Sequence, residues 1–265
     1  MKNYPFLHEA GKTLLLAFSI ASFAVLPGNS TFAQSEPAVK NIVIVHGAFA
    51  DGSGWENVFK ILKAHGYNVT LVQNPLTSLE DDVAATQRAI DRQDGPVVLV
   101  GHSWGGTVIT AAGNVEKVAS LVYVAAFVPD AGETTLDLVK KEPAAPENGI
   151  LPPDEKGFVY YDQAKFRAGF AADVSQEKTD FMYASQGPIA VKGFLTPVTA
   201  SAWKTKPSYA IVATDDKSIN PSLQRMMYKR AAAVATEIKG SHVLFITNAA
   251  AVVRVIETAA KAKSK

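Results

Sequence analysis

The sequence predicts an α/β fold: a mainly parallel, doubly wound sheet with a helical cap insertion. Three observations predict it. Short apolar runs alternate with segments of helical periodicity across residues 40–126 and again across 207–263. Those runs are continuous rather than alternating, as in strands buried on both faces. Between the two blocks, residues 127–206 lose the rhythm and turn rich in proline and aromatic residues.

The elements follow in chain order. Asn41 to His46 is an apolar strand ending in His-Gly. Trp55 to His65 carries Trp55, Val58, Phe59 and Leu62 at helical spacing and stops at Gly66. Asn68 to Val72 is the second strand. Leu79 to Arg92 is helical, with Asp81 and Asp82 in its first turn, where the helix dipole favours negative charge. Pro96 to Gly101 is the third strand, Trp104 to Gly113 the next helix and Val118 to Ala125 the fourth strand. Strands and helices at such short spacing form βαβ units with right-handed crossovers.

From Phe127 to Lys206 the sequence shows no strong buried strand. The segment follows the carboxyl end of a strand, the side where open α/β sheets bind ligands. It therefore reads as a cap of short helices, with a purely structural layer as the alternative. The core resumes with a strand at Ser208 to Thr214 and a helix at Pro221 to Ala231, where proline suits the first turn. A last strand, Ala233 to Ile238, and a long final helix, Phe245 to Ala262, close the chain.

The N-terminus has another character. Lys2 and Lys12 precede an apolar h-region of about 14 residues, Thr13 to Leu26, and then Thr31-Phe32-Ala33. This predicts a signal peptide over 1–33, cleaved after Ala33, and a protein exported to the periplasm or secreted. The apolar stretch is shorter than the roughly 20 residues of a spanning helix. No stable membrane insertion is expected after cleavage. The chain has no cysteine, which excludes disulfides and leaves stability to the core. A net charge of +1 without a basic cluster argues against a nucleic-acid partner. The sequence leaves the oligomeric state open.

Four motifs carry chemistry. Gly101-His102-Ser103-Trp104-Gly105-Gly106 is a G-x-S-x-G between an apolar strand and a helix. A turn that tight needs small residues two before and two after the serine, and it lifts Oγ above the sheet. Ser103 is thus the candidate nucleophile. His46-Gly47-Ala48-Phe49 follows the first strand, where an oxyanion hole draws one of its N–H donors. Ala48 is the expected donor, with Phe49 second, and Trp104 supplies the other. His46 itself reads as a structural hydrogen bonder. Gly240-Ser241-His242 follows the last strand, and a general base must reach the serine hydroxyl. His242 is late, on a loop and on the correct side of the sheet. The acid lies between Ser103 and His242 in chain order, in Thr214-Asp215-Asp216-Lys217. Asp216 is favoured, with Asp215 the alternative.

Without cysteine, an H-E-x-x-H pair, a Walker loop or a G-x-G-x-x-G after the first strand, neither a metal nor a cofactor is expected.

These residues resemble a known family. VHGAF at 45–49, DGSGW at 51–55, GHSWGG at 101–106, ATDDKSINP at 213–221 and KGSH at 239–242 are similar to α/β-hydrolases. The nearest group is the small esterases that include plant methylesterases and hydroxynitrile lyases. The resemblance spans about residues 40 to 260. It implies an α/β-hydrolase fold, Ser103 and His242 in the roles above, the second acid, Asp216, in the triad, and Ala48 and Trp104 at the oxyanion hole. Hydroxynitrile lyases carry threonine after the first-loop histidine and lysine after the catalytic one; here stand Gly47 and Val243. Dehalogenases and epoxide hydrolases of this fold use aspartate where Ser103 stands.

The expected chemistry is acyl transfer from a small, largely uncharged ester. Phe49, Phe127, Tyr160, Tyr161 and Phe181 are expected to line an apolar pocket. A lyase or cofactor-free oxygen chemistry on the same triad, and a non-catalytic ligand-binding protein, are the alternatives.

Overall fold

The computed structural model describes residues 39–262; the predicted signal peptide, 1–33, lies outside the described residues. In chain order come β1 (Asn41–Val45), α1 (Glu56–Ala64), β2 (Asn68–Val72), α2 (Leu79–Asp91), β3 (Val97–His102), α3 (Trp104–Ala112) and β4 (Val118–Val124). The inserted stretch holds α4 (Thr135–Val139), β5 (Phe158–Val159), α5 (Gln163–Phe170), α6 (Gln176–Ala184), β6 (Ile189–Ala190) and α7 (Val191–Leu195). Then follow β7 (Ser208–Ala213), α8 (Pro221–Arg230), β8 (Val234–Ile238), α9 (Leu244–Thr247) and α10 (Ala249–Lys261).

The main sheet has six strands in the order β2-β1-β3-β4-β7-β8. Every pairing in it is parallel. β1 and β3 sit inside the sheet and are buried along their whole length, which explains their unbroken apolar sequence. β8 is an edge strand, mostly exposed. The chain runs outward from β1 to β2 on one side and from β3 to β4 on the other. The switch point of the fold therefore lies between β1 and β3, where such sheets bind ligands. Val45 pairs with Gly101, so the loop after β1 and the turn after β3 emerge side by side. Ala213 pairs with Ile238, which brings the loops after β7 and β8 to the same edge.

α1 and α10 pack together on one face of the sheet, and α2 and α3 pack together on the other. The α10 stripe of Val252, Val253, Ile256 and Ala260 is buried, and burying each valine or isoleucine side chain stabilises the fold by about 1.5–3 kcal/mol.

One expectation is corrected. The final helix is not continuous from Phe245 to Ala262: it breaks at Asn248 (φ −116°) between α9 and α10. The Asn248 amide donates to the Lys239 carbonyl, so a contact with the loop after β8 outweighs alanine-rich helix propensity. Residues 127–206, where the sequence shows no strong buried strand, contain a short antiparallel pair of two residues each, Phe158↔Ala190 and Val159↔Ile189. The pair closes the segment on itself around a cluster in which the Tyr161 ring lies 5.4 Å from Phe166 and 5.5 Å from Phe170.

Candidate active site

Ser103 sits between β3 and α3 at φ +54°, ψ −121°, a conformation that costs a non-glycine residue roughly 1–3 kcal/mol. The glycines around it are dictated by space. A Cβ on Gly101 would lie 2.5 Å from the Gly105 carbonyl oxygen, and one on Gly105 would lie 2.4 Å from that of Val45. The loop after β1 closes directly on the serine: a Cβ on Gly47 would meet Ser103 Cβ at 2.7 Å.

That closeness positions backbone donors. The Phe49 N–H is taken, donating to the Gly187 carbonyl at 3.2 Å, whereas among the described residues no backbone acceptor lies on the Ala48 N–H. Of the two donors read from sequence, the geometry leaves Ala48. Trp104 opens α3, and a first-turn N–H has no carbonyl one helical turn earlier to bind. His46 is structural: its Nε2 accepts from the Asn74 N–H at 2.9 Å and its Nδ1 lies 2.8 Å from the Gly47 carbonyl. That pairing requires the proton on Nδ1. Burial lowers the His46 pKa and keeps the ring neutral.

The structure brings His242 and Asp216 together. His242 Nδ1 lies 2.7 Å from Asp216 Oδ2, both side chains buried. The Asp216 carboxylate takes further donors from the N–H groups of Ser218 (2.8 Å) and Ile219 (3.0 Å) and from Gln224 Nε2 (2.8 Å). Asp215 is exposed, and of the two aspartates Asp216 is the one bonded to His242. With Nδ1 committed, Nε2 is the nitrogen left to exchange a proton. Ser103 and His242 line one cavity of about 440 Å³, together with Ala48 and Trp104. Contacts between serine and histidine in such sites commonly tighten only around substrate.

The same cavity is lined by Phe49, Phe127 and Tyr161, as expected. Tyr160 and Phe181 are corrections: neither lines it, and they are 41% and 55% exposed. Tyr161 bridges to Ile150 as a strand residue does, and neighbours along a strand face opposite ways. With Tyr161 inward, Tyr160 points out. α6 buries Thr179 and Met182, which turns Phe181 outward beneath the Lys178 ammonium, 5.2 Å from its ring centre.

Several site residues have no signature in the sequence. Gln224, fully buried on α8, holds Asp216 while its Oε1 accepts from the Ala213 N–H. Its place three residues after the proline that starts α8 is the one available hint. His102 bonds the His242 carbonyl through Nε2 at 3.0 Å, so Nε2 carries its proton. Burial holds His102 well below the ordinary histidine range. Phe170 packs against the His242 ring, 5.0 Å between centres. Among the described residues no group of three or more His, Cys, Asp or Glu side chains is arranged to hold a metal ion, and no helix is long and apolar enough to cross a membrane.

Comparison with known proteins shows the family of the chain. The model of the alpha/beta hydrolase family matches residues 42–255. A carbendazim hydrolyzing esterase from a Nocardioides species is 30% identical over 50% of this chain and 54% of its own length, so the chain spans about half of that relative. A pyrethroid hydrolase of Sphingobium wenxiniae is 29% identical over 72% of this chain and 76% of that one. The crystal structure of a pyrethroid hydrolase from Sphingobium faniae superposes with a TM-score of 0.71 at 24% identity, covering 84% of this chain and 98% of that one. At that identity the last match speaks for the fold.

Proposed function

Because the chain belongs to the alpha/beta hydrolase family, we propose that it is a serine carboxylesterase working through an acyl-enzyme. The observation that carries this reading is the buried His242–Asp216 pair, with its free Nε2 in the same cavity as the strained Ser103. Ser103 Oγ attacks the ester carbonyl carbon as His242 Nε2 takes its proton. The negative charge that develops on the carbonyl oxygen falls to the N–H groups of Ala48 and Trp104. The tetrahedral intermediate collapses, His242 returns the proton to the leaving alcohol, and the acyl group stays on Ser103. Water then attacks by the same route and releases the acid. Asp216, saturated by its donors, keeps the imidazole in the right tautomer and stabilises its cation.

The cavity walls are chiefly apolar, with Phe127, Leu136, Phe170 and Leu223 among them. This favours an uncharged ester with apolar groups on at least one side of the carbonyl. The relatives named for carbendazim and pyrethroid hydrolysis lend support to substrates of that kind. Residues 1–33 have the pattern of an export signal, and the proposal includes action in the periplasm or outside the cell.

The test is covalent. A fluorophosphonate probe, with the adduct located by mass spectrometry, is expected to mark Ser103 alone, and Ser103→Ala and His242→Ala are expected to abolish labelling. Folded wild-type protein that takes no probe would remove the serine mechanism. An ester, amide and lactone panel then defines the substrate. Protein recovered from cell fractions is expected to begin at Gln34; an intact Met1 would remove the export proposal.

A further inference from the structure

A carboxyl group lies buried beside the site. Asp82 is the fourth residue of α2 and is fully buried. By sequence it belongs with Asp81 as a first-turn charge of that helix. Asp81 does take that part, bonded to Thr77 and to the Ser78 cap. Asp82 instead turns inward. Its Oδ2 accepts from the Trp104 indole Nε1–H at 2.7 Å, and its Oδ1 accepts from the Leu76 N–H at 2.8 Å. Among the described residues no lysine or arginine is its partner, and burial raises its pKa to about 6. A carboxyl group kept in such surroundings is costly unless its hydrogen bonds are needed.

Both partners lead to the oxyanion region. Trp104 is 1% exposed, directly follows Ser103, and lines the cavity with its ring against Phe194, 5.4 Å between centres. A fixed indole restrains the Trp104 Cα, and with it the peptide whose N–H is proposed to face the reacting carbonyl. Leu76 is held at φ +59°, and its carbonyl accepts from the Ala190 N–H at 2.8 Å. Three residues before Ala190, Gly187 receives the Phe49 N–H, next to Ala48. The inserted segment is thus tied to both donors, and Asp82 is the tie to Trp104.

We propose that Asp82 is a positioning residue for the oxyanion hole, acting through the hydrogen bond to the Trp104 indole. This rests on the serine-esterase reading. Oxyanion donors contribute only when aimed at the developing charge, and losing one outright lowers kcat about 10²–10³-fold. Losing its aim costs a part of that.

The experiment measures p-nitrophenyl butyrate hydrolysis per active site, with sites counted by fluorophosphonate titration and folding followed by thermal melting. Asp82→Asn is expected to lower kcat per titrated site about 10- to 100-fold, with KM within about twofold. Trp104→Phe keeps the backbone N–H and an apolar ring but removes the indole donor, and is expected to lose a similar factor. The double variant is expected to be no worse than the worse single one, because both act on the one Asp82–Trp104 contact. Unchanged kcat per site in folded Asp82→Asn, or losses that multiply in the double variant, would overturn the proposal. If Asp82→Asn does not fold, Trp104→Phe decides: unchanged kcat per site overturns it. Wild-type protein that takes no probe on Ser103 overturns the esterase reading and this one with it. Normal labelling with no effect of the variants overturns this one alone.

Discussion

Asp173, in the inserted segment between α5 and α6, holds Ser241, the residue before His242, by two hydrogen bonds. The carboxylate accepts from the Ser241 hydroxyl and from its backbone N–H, the latter at 3.1 Å, and also from Thr247 Oγ1 at 2.9 Å. The insertion therefore does more than line the cavity: it fixes the loop that carries His242. From the other side His102 holds the His242 carbonyl.

Removing that clamp has a defined consequence. Hydrogen bonds to charged groups contribute about 1.5–3 kcal/mol each when shielded, and less when exposed. Asp173→Ala is expected to lower kcat by about tenfold and to lower the melting temperature slightly, with Asp173→Asn in between. Kinetics on p-nitrophenyl butyrate check it. A variant with lower stability and unchanged kcat would mean that the clamp supports the fold without aligning His242.

The two adjacent aspartates should differ sharply. Asp216→Asn exchanges an acceptor for an amide beside His242 Nδ1 and permits the wrong tautomer, which in triads of this kind costs about 10⁴-fold in kcat. Asp215 is exposed, and Asp215→Asn is expected to leave kcat within about twofold. Equal losses in the two variants would contradict the geometry.

The cavity makes a parallel distinction among aromatic residues. Phe127 lines the site and is 7% exposed, whereas Phe181 is outside it and 55% exposed. Phe127→Ala is expected to change the relative kcat/KM of short and long p-nitrophenyl esters severalfold, and Phe181→Ala to leave that ratio alone. A selectivity change in Phe181→Ala would mean that the segment closes over substrate differently from the structure described.

What was legible in the sequence was what local geometry dictates. Gly101 and Gly105 are forced by contacts within a few residues and with the adjoining strand, and the apolar runs mark strands whose ends must carry the site. Asp216 was half legible, because adjacent acids look alike until folding buries one. Gln224, Asp173 and the inward turn of Asp82 depend on partners from other elements, as does the helix break at Asn248. For Tyr160 and Tyr161, alternation was readable but its phase was not: which tyrosine faces inward is set by packing against Phe166 and Phe170.

The buried Asp82 carboxyl also predicts a signature in stability against pH. Its folded-state pKa is raised from 3.8 to about 6, so the folded protein holds this proton more tightly than the unfolded chain does. Its favourable contribution is present in full below pH 3.8 and is lost as pH rises through about 6. The difference corresponds to about 3 kcal/mol. His46 and His102 act in the opposite sense: their pKa values are lowered, so they cost stability as pH falls below about 6.5. In the wild type the two trends oppose each other, and the total curve is uninformative. Asp82→Asn separates them, because the variant keeps the histidines and cannot titrate at position 82. Urea unfolding of both proteins from pH 4 to pH 7 is expected to show the variant gaining on the wild type by up to about 3 kcal/mol across that range. Parallel curves would mean that Asp82 titrates alike in the folded and unfolded chains, its bonds to Trp104 and Leu76 offsetting in full the cost of burying the charge.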